Sequence, residues 1–245
     1  MIGAVSSKGF GPVNCRPPGR TPLRRQPQPP TVTGRQRAAG VVLAAGLSSR
    51  FGEGDKLLAT LEGEPLVVHA VRTLTGADLD AIAAVVDPAS GVSGALEAAG
   101  FAGNGVGDTD AGVDVALVEN PDAAAGQATS VRRGVAWARG AADADAVVFA
   151  LGDMPRVRPE TVDRLAAAWR DGRGSALAAA HDGQRGNPVL FDSRHFDALA
   201  AVSGDTGGRS VFENAADSAV VETDDPGVRR DVDTRADLEA LREDG

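Results

Sequence analysis

Leu43-Ala44-Ala45-Gly46-Leu47-Ser48-Ser49-Arg50-Phe51-Gly52-Glu53-Gly54-Asp55-Lys56 decides how this chain is read. It starts inside an apolar run, Gly40 to Ala45, whose length and lack of alternation mark a buried strand. The small residues at 44 to 46 let backbone N–H groups turn inward and cradle a polyphosphate without a side-chain clash. Arg50 and Lys56 supply the counter-charge. An ordinary strand-to-helix turn needs one glycine; this one holds Gly46, Gly52 and Gly54 with two cations. It is not a Rossmann fingerprint, which needs glycines at three fixed positions opening a helix, and it lacks the Gly-Lys-Ser/Thr ending of a P-loop.

Outward from this loop, short apolar runs alternate with amphipathic stretches. Helices are expected over Pro65 to Leu74, Ser90 to Ala99, Gln127 to Ala138 and Pro159 to Arg170. Strands are expected over Ala81 to Val86, Val113 to Val118 and Ala146 to Leu151, with a Gly/Asp-rich loop from Gly103 to Gly112. Strands separated by helices imply right-handed crossovers and an α/β fold with a doubly wound, mostly parallel sheet. In the last third, Ala176 to Ala180 and Pro188 to Phe191 flank a polar turn, helices follow, and Ala219 to Glu222 is another strand. That part adds a small antiparallel arm at the sheet's edge. Ligands of open α/β sheets sit at the carboxyl ends of strands, so the loops after Ala45, Val118 and Leu151 are where chemistry is sought.

After Leu151 comes Gly152-Asp153-Met154-Pro155. A carboxylate at the end of a buried strand is well placed to bind a hard cation beside a phosphate, although Asp before a turn is common in itself. The run Asp231 to Leu238 reads as a helix start, with Thr234 as N-cap and Asp237 three residues on in a capping box. Asn120 to Ser130 reads as a polar loop capping the next helix. His69, His181 and His195 match no catalytic position; His69, on an apolar helix face, reads as a satisfied core residue.

The loop from Leu43 to Lys56 resembles the signature Leu-Ala-Ala/Gly-Gly-x-Ser-x-Arg-Met/Phe-Gly-x-x-Lys of nucleotidyltransferases with a GT-A-like fold, the MobA-like NTP transferases. Within them it looks closest to the molybdenum cofactor cytidylyltransferases. The similarity runs over about residues 40 to 240, with one departure: Glu53, Gly54 and Asp55 separate Gly52 from Lys56 where two residues are commoner. The resemblance implies that Leu43, Ala44, Ala45, Gly46 and Lys56 bind the nucleotide, that Lys56, Arg50 and Asp153 are catalytic, and that Asp153 holds Mg2+. It implies further that Asp233 completes the metal site and that Gly126 and Ser130 contact base and ribose. Asn187 and Pro188, with the stretch Gly204 to Arg209, look like acceptor-side elements. Ala rather than Gly at the third loop position, Ala45, goes with cytidine enzymes in that family. The expected reaction is transfer of CMP from CTP to a molybdopterin-type acceptor, with molybdoenzyme maturation proteins as further partners. Alternatives are a sister transferase using GTP or a sugar or polyol phosphate, a nucleotide-binding regulator without turnover, and a dinucleotide-dependent oxidoreductase.

Composition bounds these expectations. The 245 residues are 42% hydrophobic, enough for one sizeable core. No window approaches the roughly 18 consecutive apolar residues of a membrane helix, so the expected setting is cytoplasmic, with no membrane and no nucleic acid among the partners. A single cysteine, Cys15, builds neither a disulfide framework nor a thiolate metal site, so a metal must have oxygen ligands. The net charge is −9, of which residues 1 to 37 contribute +7, leaving −16 for the remainder. That tail also holds half of the 14 prolines and no apolar periodicity, and is expected to be disordered: a linker, or translation begun upstream of the true start. Lys8 and Lys56 are the only lysines, so residues 38 to 245 carry one lysine amid abundant carboxylate. A salt-rich cytoplasm and a high-GC genome each account for such a surface. Deleting residues 1 to 37 is expected to leave melting temperature and turnover nearly unchanged, which calorimetry and a pyrophosphate-release assay on the truncated chain would check.

Overall fold

The computed structural model describes residue 1 and residues 36–46, 51–52, 54–101, 108–109, 112–205 and 207–244. The basic tail with Cys15, the loop tip with Arg50, Glu53, most of the Gly/Asp-rich loop and Thr206 lie outside the described residues.

In chain order the elements are β1 (Ala38–Ala44), β2 (Thr60–Leu61), β3 (Glu64–Pro65), α1 (Leu66–Thr75), β4 (Ala81–Val86), α2 (Val92–Ala98), β5 (Asp108–Thr109), β6 (Gly112–Val113) and β7 (Ala116–Glu119). They continue with α3 (Gln127–Gly140), β8 (Ala146–Leu151), α4 (Pro159–Arg170), β9 (Ala176–His181), β10 (Gln184–Asp192), α5 (Phe196–Ala200), α6 (Arg209–Asn214), β11 (Ser218–Glu222) and α7 (Arg235–Glu243). Seven strands form the main sheet in the order β11-β9-β10-β8-β1-β4-β7. β1, β4, β7 and β8 are parallel to their neighbours among these four. The antiparallel arm is the β9–β10 hairpin, and it extends the main sheet: β10 pairs antiparallel with both β8 and β9, and β11 returns parallel to β9.

The uninterrupted apolar strands are central because both of their faces are covered. On one face Val42 and Val148 pack with Val71 and Leu74 of α1 and Val162, Leu165 and Trp169 of α4. On the other, Val41, Val85 and Phe149 meet Val131 and Val135 of α3, Phe196 and Leu199 of α5 and Phe212 of α6. No helix among the described residues is long and apolar enough to cross a membrane. The strand expected from Val113 starts instead at Ala116, because Gly112–Val113 pairs with Asp108–Thr109 in a separate hairpin. His69 is half-buried, with Nε2 2.8 Å from the Leu61 carbonyl.

One buried carboxylate fixes the path of the chain's last segment. The N-cap residue of α4, Arg158, provides no capping side chain. Asp225, 3% exposed, does so from a distance: its Oδ2 accepts from Arg158 N at 2.9 Å and from Thr161 Oγ1 at 2.7 Å, while Oδ1 accepts from Gly227 N at 2.9 Å. The segment that follows carries Asp233. Asp225→Ala strands three donors, two of them buried, and is expected to cost about 2–4 kcal/mol, read as a lower urea midpoint at unchanged m-value.

Candidate active site

The strand order makes β1 the branch point: the chain leaves it toward β4 and β7 on one side and returns to β8 on the other. At such a switch the loops after neighbouring parallel strands splay apart and leave a crevice. Leu43 and Leu151 are register partners, and Gly152 N donates to Leu43 O at 3.1 Å, so the loops after β1 and β8 leave the sheet side by side. A Cβ on Gly152 would lie 3.2 Å from both Leu43 O and Leu57 Cδ2, so the close seating of these loops depends on that glycine.

A cavity of about 420 Å³ opens there. Leu43, Ala45 and Gly46 form one wall, Gly126, Gln127 and Ser130 another, and Lys56, Asp153 and Asp233 its charged end. Ala44 does not line it; strand alternation turns that methyl into the core beside Val42. Asn187 lines a second cavity and Pro188 a small void behind it.

Each charged group is held by its own local structure. Lys56 opens a single 3-10 turn, Lys56–Leu58, in which Asp55 Oδ1 accepts from Leu57 N at 3.0 Å and Leu57 is buried. Asp153 leaves the end of β8, and its carbonyl accepts from Val232 N at 2.9 Å, which pulls the C-terminal segment against it. Asp233 directly precedes the capping box of α7: Thr234 Oγ1 accepts from Asp237 N at 3.2 Å, and Asp237 Oδ2 accepts from Thr234 N at 2.7 Å and Asp233 N at 3.1 Å. Leu238 and Leu241 of α7 pack with Phe51, Leu61 and Leu66, tying that helix to the end of the first loop.

The three groups meet. Lys56 Nζ lies 2.6 Å from Asp153 Oδ2 and 3.0 Å from Asp233 Oδ1, with side chains 12%, 17% and 39% exposed in that order. Burial pushes the Asp153 carboxyl above the ordinary value; Lys56 pulls against it, and Asp231 adds to the rise. For Lys56, burial works to lower the pKa, but Asp153 and Asp233 together outweigh it and hold the ammonium above its usual value. Asp153 Oδ1 is buried without a hydrogen-bond partner. An orphaned carboxylate oxygen of this kind fits a cation. Among the described residues no group of three His, Cys, Asp or Glu side chains converges, so Asp153 and Asp233 could hold a hard ion only with water or phosphate oxygens completing its shell.

The second wall is built on Gly126, whose φ of +104° favours glycine and over which the 204–205 turn packs closely: a Cβ there would lie 2.4 Å from Asp205 Oδ1 and 2.9 Å from Gly204 O. Ala128 N donates to Gly204 O at 3.0 Å. Buried Asn120 donates to Thr129 Oγ1 at 2.8 Å and Ser130 Oγ at 2.9 Å, which sets the Ser130 hydroxyl at the cavity. Asp205, Gln127, Leu43 and Leu151 line both this cavity and the second, of about 460 Å³, which also holds Arg185, Arg209, Phe191 and Phe212. Asp205 falls within the stretch expected on the acceptor side, whereas nothing in the sequence singled out Gln127 or Arg185. Arg185 lies 4.7 Å above the Phe212 ring, a contact no spacing rule reveals.

The profile of the MobA-like NTP transferase domain matches residues 40–220. The chain belongs to this family. A molybdenum cofactor guanylyltransferase of Mesorhizobium japonicum is 34% identical over 153 residues, 62% of this chain and 64% of that protein's length. This MobA-like chain is also 30% identical to nicotine blue oxidoreductase of Paenarthrobacter nicotinovorans over 204 residues, 80% of this chain and 91% of that one. The crystal structure of Rv0371c from Mycobacterium tuberculosis in complex with manganese matches it with TM-score 0.62 and 27% identity, covering 86% of this chain and 100% of that one.

Asp153→Asn keeps the shape of this MobA-like site and removes the charge that faces Lys56. Nucleotide turnover is expected to fall by at least about 100-fold with the circular dichroism spectrum unchanged; near-normal turnover would remove Asp153 from the chemistry.

Proposed function

We propose that this MobA-like NTP transferase transfers CMP from CTP to a phosphorylated acceptor, the pterin of the molybdenum cofactor, with release of pyrophosphate. An acceptor phosphate oxygen attacks the α-phosphorus, the bond from that phosphorus to the oxygen of the β-phosphate breaks, and pyrophosphate departs. No side-chain nucleophile is needed, so the protein's work is positioning and charge stabilisation. The observation that carries this reading is the meeting of Lys56, Asp153 and Asp233 at the end of a cavity walled by Leu43, Ala45 and Gly46.

In this reading Lys56 and Arg50 draw the phosphates in, and Gly126 and Ser130 hold the nucleoside. A divalent ion on Asp153 and Asp233, taken here as Mg2+, would neutralise charge building on the phosphates. The second cavity suits the acceptor: it shares Leu43, Gln127, Leu151 and Asp205 with the first, and Asn187, Arg185 and Arg209 offer its phosphate donors and positive charge.

The base is assigned from Ala45, which lines the cavity and is 6% exposed. Its methyl narrows the space beside the backbone, which one ring tolerates better than two. One methyl is worth only about 1–3 kcal/mol, roughly 10–200-fold, so neighbouring residues must contribute. GTP is the second reading, favoured by the name of the Mesorhizobium relative. Redox chemistry is a third, favoured by the relation to nicotine blue oxidoreductase; it gives the Lys56–Asp153–Asp233 cluster no task. Competition kinetics are expected to give CTP the higher kcat/KM, with Ala45→Gly relaxing the preference only partly. An equal or higher kcat/KM for GTP would overturn the cytidylyl assignment, and NAD(P)H oxidation without pyrophosphate release would overturn nucleotidyl transfer.

A further inference from the structure

The ammonium of Lys56 stands where a cation on Asp153 and Asp233 would have to stand, within 3.0 Å of an oxygen of each carboxylate. We propose that Lys56 is a built-in substitute for that cation: without nucleotide it occupies both carboxylates, and a divalent ion gains them only when a triphosphate draws the lysine away. The inference rests on reading Asp153 and Asp233 as the cation site.

Electrostatics makes the two occupants exclusive. A divalent ion within a few ångströms of an ammonium is repelled by roughly as much as each carboxylate attracts it, so two carboxylates facing a retained lysine hold the ion weakly. A triphosphate, with three to four negative charges, offers Lys56 better partners and reverses that balance. The geometry allows the exchange. Lys56 and Gly46 line the same cavity as both carboxylates, so the ammonium needs only side-chain rotation to reach phosphates along the loop. Its backbone stays put, because the 3-10 turn is capped by Asp55 and anchored by buried Leu57, while the four-carbon stem is flexible. Asp153 Oδ1, buried without a partner, is an oxygen the lysine leaves unused and the ion would take. A positive side chain needed only for phosphate would not have to be buried between two carboxylates. Cation and nucleotide then bind cooperatively through one residue, and each raises the affinity for the other by the same factor.

The test is Mn2+ binding to the full chain, read without nucleotide from the free-Mn2+ electron paramagnetic resonance signal and the Mn2+-induced rise in Tm, and with CTP from the further rise in Tm on adding Mn2+, since CTP itself chelates the ion. Lys56→Met is expected to bind Mn2+ at least 10-fold more tightly than the unmodified protein and to gain more Tm from it. Lys56→Arg, which keeps a cation between the carboxylates, is expected to show no such gain. If Lys56→Met binds Mn2+ no more tightly while the unmodified protein binds it with CTP present, the substitution idea falls and the cation site stands. If neither binds Mn2+ under any of these conditions, both fall.

Discussion

Three stretches far apart in the chain are drawn to one point by a single charge. Lys56 follows the first loop, Asp153 lies two residues past β8 and Asp233 precedes α7, and both carboxylates come within 3.0 Å of the Lys56 ammonium. Each would be costly alone in so shielded a place; together they are neutralised down to one net negative charge. The supporting structure is arranged around this meeting. Asp225 caps α4 and turns the chain, Val232 bonds to the Asp153 carbonyl, and the α7 capping box grips the backbone of Asp233. These are uncharged or locally compensated contacts that set direction, and the ion cluster is what they aim at.

The sheet supplies the second constraint. Because β1 lies between β4 and β8 and all three run parallel, their carboxyl ends open on one edge, and side chains there alternate between core and crevice. Leu43 and Ala45 face the crevice while Ala44 faces the helices. The β9–β10 hairpin widens that edge beyond β8. Its Arg185 and Asn187 give the second cavity a polar side, against aromatic surface from Phe191 and Phe212. Two adjoining cavities with a shared wall suit a reaction between two bound molecules, since each is positioned independently and both reach the same boundary.

Charge is arranged differently in the cavity and over the acidic surface. Outside the cavities, arginines are paired with carboxylates at the surface, as in Arg72–Glu64, Arg139–Asp197 and Arg133–Asp122. Such exposed pairs contribute little to stability, but they keep local fields small. The lone lysine of residues 38 to 245 is partly desolvated, where an ammonium acts over short range and salt screens it less.

The sequence by itself determined the repeating layers and the places where chemistry could sit. Ala81–Val86, Ala146–Leu151 and Pro159–Arg170 fall where periodicity puts them, because continuous apolar runs and a Pro-started amphipathic stretch are local properties. The capping box at Thr234 and Asp237 was legible for the same reason. Tertiary structure alone decided that β10 enters the main sheet between β8 and β9, that the Gly204–Asp205 turn rests on Gly126, and that Asp205 borders both cavities. It also decided that Lys56 sits between Asp153 and Asp233, 97 and 177 residues away in the chain. No pattern of spacing encodes such meetings; they follow from which strands pair and how closely their loops approach, quantities fixed only when the whole sheet closes.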